Sequence, residues 1–367
     1  MKIAVLTSSR ADFGIYLPLL RALASDPFFE LKIIAFGSHL SPAFGMTIDQ
    51  IIAEGFNVAY RIPVIPEDDS PAAISTAMGK TMEAFTKVWT QERFSLVFAL
   101  GDRFEMFAAV ASGVPFNIRF AHIHGGETTK GAIDDAFRHS ITHMSQLHFT
   151  STELYRRRVA ELKGSDENVY NTGALSMDYL HQVQLLSVEA FKQQFQIDLN
   201  LPTILSTFHP ETVSYENNTH AIGELIAAFE YLNDYQIVIT MPNADTTGLM
   251  IRKKLSAFAA GKSRVHLVEN FGSLGYLSCM KYSKMLVGNT SSGFFDASFF
   301  PKWVINLGNR QQGRIITPNI INCPLKSTEI IAAVNKVAKS GAPDPVDVYG
   351  DGNTAYKIVK ILKNESC

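Results

Sequence analysis

Three stretches in the first half of the chain carry groups that can move protons: Gly101-Asp102-Arg103, His122-Ile123-His124-Gly125-Gly126-Glu127, and Gly131–His143, GAIDDAFRHSITH. Asp102 can accept a proton or a sugar hydroxyl, or it can simply cap the helix that follows. Glu127 comes after a glycine pair that lets the backbone approach a ligand closely, which makes it a candidate acid or base. His122 and His124 point to one side if their segment is extended, which invites a metal. Only His139 or His143 could be nominated as a third ligand, and the chain has no HExxH, so no metal is expected. Asp134 and Arg138, like Asp135 and His139, are four residues apart and can pair along a helix face.

The second half offers donors instead. Gly288-Asn289-Thr290-Ser291-Ser292-Gly293 follows an apolar run and opens a helical one, so hydroxyls and backbone N–H groups stand where a phosphate could sit. A hydroxyl-rich helix cap is the plainer reading, but Arg310 and Arg314 follow the next strand and could neutralise a diphosphate. His209, at the end of another strand, adds a donor. Arg10, beside the first strand, could reach the same ligand from the other half.

These groups need strand ends to hold them. Apolar runs at Leu96–Leu100 and Asn117–Ala121 stop at the Asp102 and His124 loops, and in an open parallel sheet such loops lie at the carboxyl edge, where ligands bind. Strands are also expected at Lys2–Thr7, Leu31–Phe36, Leu147–Thr150 and Asn168–Thr172. Helices are expected at Ile15–Ala24 (Pro18 in its first turn), Thr47–Glu54, Ala72–Gln91, Gly131–His143 and Thr152–Leu162. The alternation restarts with strands Pro202–Thr207, Gln236–Thr240, Arg264–Val268, Lys284–Val287 and Trp303–Asn306. The helices between and after them are Glu216–Leu232, Leu249–Ala260, Gly272–Tyr282, a short one from Phe294, and Thr328–Ser340. The reading is α/β: two Rossmann-like doubly wound domains, 1–175 and 176–352, with an interdomain cleft. They are joined near Gly173–Leu186, and a last helix within 353–367 returns to the first.

Composition sets what is excluded. With 367 residues, 46% hydrophobic and 19% charged, the chain suits two domains of ordinary size, and a net charge of −2 gives no reason to expect nucleic acid or an anionic membrane as partner. No apolar run is long enough to span a bilayer, and MKIAVLTSSR reads as a strand rather than a signal sequence. Cys279, Cys323 and Cys367 form no CxxC pair, which fits a cytoplasmic location.

Taken in order, SRADFG, GDRFE, HIHGGE, GAIDDAFRHSI, HPE, GNTSSG and NRQQGR resemble the hydrolysing UDP-N-acetylglucosamine 2-epimerases of sialic acid synthesis over nearly the whole chain. The resemblance implies a glycosyltransferase-B-like fold, a nucleotide-sugar substrate, no cofactor, and a homodimer or homotetramer. It implies loss of UDP from C1 with removal of the C2 proton, then addition of water to the resulting 2-acetamidoglycal to give N-acetylmannosamine. Asp102, Glu127 and Asp134 become the acid/base candidates. Arg10, His209, Ser291, Ser292, Arg310 and Arg314 become the diphosphate ligands, and Asp296 the ribose ligand. The family places a glutamate, in HIEGGE, where His124 stands, so His124 either takes over that acid/base role, as an imidazole can, or marks a pocket for another sugar. The alternative substrate is therefore the UDP- or GDP-linked 2,4-diacetamido-2,4,6-trideoxyglucose of legionaminic acid synthesis. A glycosyltransferase on the same architecture is the second alternative, and a nucleotide-sugar binding protein without chemistry the third.

Overall fold

A computed structural model describes residues 1–213, 215–242 and 247–365, so Cys367 lies outside the described residues, as does the end of the helix expected within 353–367. Contacts divide the chain into two units. Unit 1 is Met1–Glu127, Ile133–His181 and Val348–Cys367; unit 2 is Thr128–Ala132 and Gln182–Asp347.

Unit 1 runs β1 (Lys2–Thr7), α1 (Arg10–Ser25), β2 (Glu30–Phe36), α2 (Ile48–Ala53), β3 (Val58–Ile62), α3 (Pro71–Gln91), β4 (Leu96–Leu100), α4 (Phe104–Gly113), β5 (Phe120–Ile123), α5 (Asp134–Met144), β6 (Leu147–Thr150), α6 (Glu153–Lys163), β7 (Val169–Asn171) and α7 (Leu175–Gln182). Unit 2 follows with α8 (Val188–Phe195), β8 (Thr203–Thr207), α9 (Asn218–Tyr231), β9 (Gln236–Thr240), α10 (Gly248–Ala259), β10 (Val265–Val268), α11 (Gly272–Tyr282), β11 (Met285–Gly288), α12 (Asp296–Phe299), β12 (Val304–Leu307), β13 (Ile320–Cys323) and α13 (Ser327–Ala338); α14 (Thr354–Glu365) returns to unit 1.

Each unit is one parallel sheet flanked by helices. The strand orders are β3-β2-β1-β4-β5-β6-β7 and β10-β9-β8-β11-β12-β13. In both the order reverses beside the first strand, between β1 and β4 and between β8 and β11. The loops after those four strands therefore line the two crevices where open α/β sheets take ligands. Strand β4 is apolar and buried throughout, and β1, β8 and β9 are buried apart from Lys2 and polar only toward their ends, as sheets covered on both faces require.

Several elements differ from expectation, each for a local reason. Helix α1 starts at Arg10 rather than Ile15 because Ser9 and Asp12 form a capping box, with the Asp12 carboxylate also accepting the Ser8 and Ser9 N–H groups at 2.7 and 3.0 Å. Pro18 is thus inside the helix, not in its first turn. Strand β5 occupies Phe120–Ile123, carrying His122 within it, because Asn117 turns the chain in a left-handed conformation after a 3-10 turn. The segment read as a plain linker contains α7, whose buried Asp178 accepts the Thr354 and Ala355 N–H groups at 2.8 and 2.6 Å and so caps α14. Helix α14 then lays Ala355, Ile358 and Leu362 into the same apolar cluster as Leu17 and Leu20 of α1. Strands β3 and β13 sit at sheet edges, where weak patterns suffice. Among the described residues no helix is long and apolar enough to cross a membrane.

Candidate active site

In unit 1 the loops after β4 and β5 are joined by one guanidinium. Arg138, on the second turn of α5, donates through Nη2 to the Asp102 carboxylate and through Nη1 to the His124 carbonyl at 2.7 Å. Its Nη1 also lies 3.7 Å from Glu127 Oε2. The Arg138 and Glu127 side chains are 3% and 2% exposed, against 21% for Asp102, so Asp102 is the member of this set most open to a ligand. Burying so many charges is tolerable only because each meets an opposite or polar partner. Glu127 Oε1 accepts from His124 Nδ1 at 2.6 Å and from Ser151 Oγ, at the end of β6, at 3.2 Å.

The backbone explains how these groups meet. His124 has φ +65°, a left-handed conformation uncommon for a residue with a Cβ, and this ends the extended run. His122 and His124 consequently do not share a side. The His122 ring is fully buried and bonds to the Gly101 carbonyl (2.8 Å) and Thr142 Oγ1 (3.1 Å), and burial lowers its pKa to about 3, leaving it a neutral strut. Gly126, at φ +79°, could carry no side chain: a Cβ there would stand 2.4 Å from the Tyr155 carbonyl oxygen. That close approach seats Glu127 against α6. No group of three potential metal ligands occurs among the described residues.

Of the proton-handling candidates, the structure brings Asp102, His124 and Glu127 together. Asp134 is half-buried at the start of α5, which begins three residues later than expected from Gly131. Arg138 turns to Asp102 and Glu127, not to the Asp134 partner its four-residue spacing suggested. Asp12 and Ser9 hold the α1 start, where Arg10 is the first helical residue.

In unit 2, Asn289 organises the crevice. Its fully buried amide accepts the His209 N–H at 2.7 Å and donates to the His209 carbonyl at 2.8 Å, locking the loop after β8 to the loop after β11. Gly288 permits this, since a Cβ would meet the Thr207 carbonyl oxygen at 2.2 Å. Ser291 and Ser292 lie in a 3-10 turn, and α12 after it is only four residues, so the loop offers hydroxyls and N–H groups rather than a full helix dipole. Ser292 Oγ bonds to the Tyr276 hydroxyl and to Thr290 Oγ1 at 3.2 Å. Burial raises the Tyr276 pKa, so the phenol stays protonated. Asp296 begins α12 close enough to add to that rise.

Arg310 donates through Nε to the Pro210 carbonyl at 3.1 Å, and Arg314 to Gln311 Oε1 at 2.5 Å and Thr129 Oγ1 at 3.4 Å, with its guanidinium over the Phe295 ring. Gln311 in turn donates to the Asn289 carbonyl at 2.7 Å. The structure thus gathers His209, Ser291, Ser292, Asp296, Arg310 and Arg314 around one crevice edge in unit 2. Arg138, Ser151, Asn289, Gln311 and Tyr276 were not singled out as site residues. Ser151 and Asn289 carry a usable signal, a polar side chain placed directly after an apolar strand.

Two doubly wound parallel units in one chain define the two-Rossmann, glycosyltransferase-B-like class. The chain belongs to the UDP-N-acetylglucosamine 2-epimerase family, whose model matches residues 21–363. It is 34% identical to a GDP/UDP-N,N'-diacetylbacillosamine 2-epimerase (hydrolyzing) of Campylobacter jejuni, over 89% of this chain and 85% of that protein. It is 32% identical to polysialic acid biosynthesis protein P7 of Escherichia coli (99% and 94%). Identity is 29% with a UDP-N,N'-diacetylbacillosamine 2-epimerase (hydrolyzing) of Legionella pneumophila (99% and 95%). The fold matches that of UDP-GlcNAc 2-epimerase from Neisseria meningitidis bound to UDP-GlcNAc, with a TM-score of 0.84 at 19% identity over 99% of this chain and all of that one.

Proposed function

We propose that this protein is a hydrolysing 2-epimerase of UDP- or GDP-linked 2,4-diacetamido-2,4,6-trideoxyglucose, the sugar also called N,N'-diacetylbacillosamine. The UDP-N-acetylglucosamine substrate that the sequence put first is the less well supported of the two, because two of the three sequence relatives above, including the one at 34% identity, are named for the diacetamido sugar. The observation that carries the reaction type is the Asp102–Arg138–Glu127–His124 cluster: it holds more proton-handling groups than transfer to an acceptor requires.

The chemistry follows from bond accounting. The C1–O bond breaks with its electron pair left on the diphosphate, the C2–H pair becomes the C1=C2 bond, and the proton passes to a base in unit 1. Water oxygen then adds at C1 while a proton reaches C2 from the opposite face, inverting that centre. Arg310, Arg314, His209, Ser291 and Ser292 stabilise the departing diphosphate, and Asp296 accepts from the ribose.

A proton NMR time course in deuterated water, with UDP-N-acetylglucosamine and with the UDP- and GDP-linked diacetamido sugars, tests this. Expected is release of nucleoside diphosphate and a free 2-epimeric diacetamido sugar deuterated at C2, from one or both diacetamido substrates. Turnover of UDP-N-acetylglucosamine alone would return the assignment to the sialic acid route. Intact sugar nucleotide in every case, with turnover only on adding an acceptor, would make the protein a transferase.

A further inference from the structure

The contacts of Glu127 suit an orienting group better than a group that meets the sugar. Both of its oxygens are engaged: Oε1 accepts from His124 Nδ1 at 2.6 Å and Ser151 Oγ at 3.2 Å, and Oε2 lies 3.7 Å from Arg138 Nη1. Its side chain is 2% exposed. A carboxylate oxygen accepts only, so the imidazole hydrogen facing it sits on Nδ1, and this assigns proton exchange to Nε2. The left-handed backbone at His124 turns that ring back onto Glu127, three residues on, within one loop. A strained φ held by a buried hydrogen bond is the kind of local cost that positions a reacting group.

We propose that His124 and Glu127 form an imidazole–carboxylate dyad in which His124 is the catalytic base and Glu127 a positioning residue. The inference rests on the epimerase reading above. In the elimination step the C2 proton passes to His124 Nε2 as the C2–H electron pair forms C1=C2. The C1–O pair leaves on the diphosphate, and the imidazolium is held by the Glu127 carboxylate. The group that reprotonates C2 must approach from the other face and is a different residue. Asp102 of the β4 loop, more open to a ligand than Glu127, is not part of this pair: it is held by Arg138 Nη2. The charged and titratable groups around the dyad are Arg138 from α5, Asp102 from the β4 loop, His122 from β5 and Arg158 from α6, whose Nη1 is 3.5 Å from the Gly126 carbonyl.

Two measurements on the full chain test the dyad. In protein labelled at histidine, the Nδ1 proton of His124 without sugar is expected far downfield, as in a charge-assisted hydrogen bond, and upfield of that position in Glu127→Gln. In the turnover assay, His124→Gln should lose about a thousandfold or more in kcat. Glu127→Gln should lose only about ten- to a hundredfold, with the acid limb of its pH profile moved down and partial recovery in Glu127→Asp. A structural role for Glu127 would lower activity without moving that limb. An unmoved His124 Nδ1 proton resonance, or Glu127→Gln as inactive as His124→Gln, overturns the proposal. If wild-type protein turns over none of the sugars while His124 still responds to Glu127→Gln, the epimerase reading fails, and the proton-transfer role with it, while the pairing stands.

Discussion

The two crevices are built on the same sheet order and hold opposite chemistry. At the unit 1 switch point the named contacts join titratable groups by charge: Arg138 to Asp102 and Glu127, and His124 to Glu127. At the unit 2 switch point the named contacts pair no cation with a carboxylate: the Asn289 amide meets His209, Gln311 meets Asn289, Tyr276 and Thr290 meet Ser292, and Arg310 and Arg314 donate to the Pro210 carbonyl and to Gln311. One topology thus presents carboxylates and an imidazole at one edge and amides, hydroxyls and guanidinium groups at the other, and what differs is only which side chains follow the strands. Acid and loss of charge should therefore strike unit 1 first.

Acid is expected to have the largest effect. Burial lowers the pKa values of His39, His122 and His148 to about 4, 3 and 4, and all three belong to unit 1. Each binds a proton on unfolding, so its contribution is complete above its free value near 6.5 and is lost as pH falls toward the folded value. The slope is about 1.4 kcal/mol per pH unit for each. Hydrogen exchange at pH 5 against pH 7 should show β1, β5 and β6 losing protection before β8, β9 and β11; equal loss would break the contrast. Next, Arg138→Met leaves buried carboxylates without their cation and should cost about 3–5 kcal/mol in urea melts, with turnover abolished. Wild-type stability in that variant would mean the cluster is not held by charge. Smallest is Asn289→Ala, which strips the His209 N–H and carbonyl of their partner. It should cost about 1–3 kcal/mol and weaken nucleoside diphosphate binding in calorimetry, with no change in the acid response of unit 1.

How much of this was legible depended on how local the cause was. Strands β1, β4, β6 and β9 and helix α11 match their expected bounds, because apolar runs between polar loops declare themselves over a few residues. Strand β5 starts three residues and ends two residues later than the apolar run Asn117–Ala121, since a histidine ends such a run by type even when, like His122, it is buried and satisfied by Gly101 and Thr142. Arg138 was read with Asp134, its helical neighbour, whereas its partner Asp102 lies 36 residues away, beyond any local pattern. Asn289 showed only as one more polar residue in GNTSSG, because its two bonds reach a backbone 80 residues earlier. Edge strands β3 and β13 escaped for want of a continuous apolar signal.

Residues Thr128–Ala132 lie between two stretches of unit 1, yet they belong to unit 2. Lys130 donates its N–H to the Gln312 carbonyl at 3.0 Å, Gly131 accepts from the Thr212 N–H at 3.2 Å, and Thr129 meets Arg314. The loop that carries both arginines is therefore completed by a strap encoded in the middle of the other half, immediately after Glu127. Unit 2 cut out as a contiguous gene segment would lack that strap. A chimaera that exchanges unit 2 between relatives would have to transplant the strap as well.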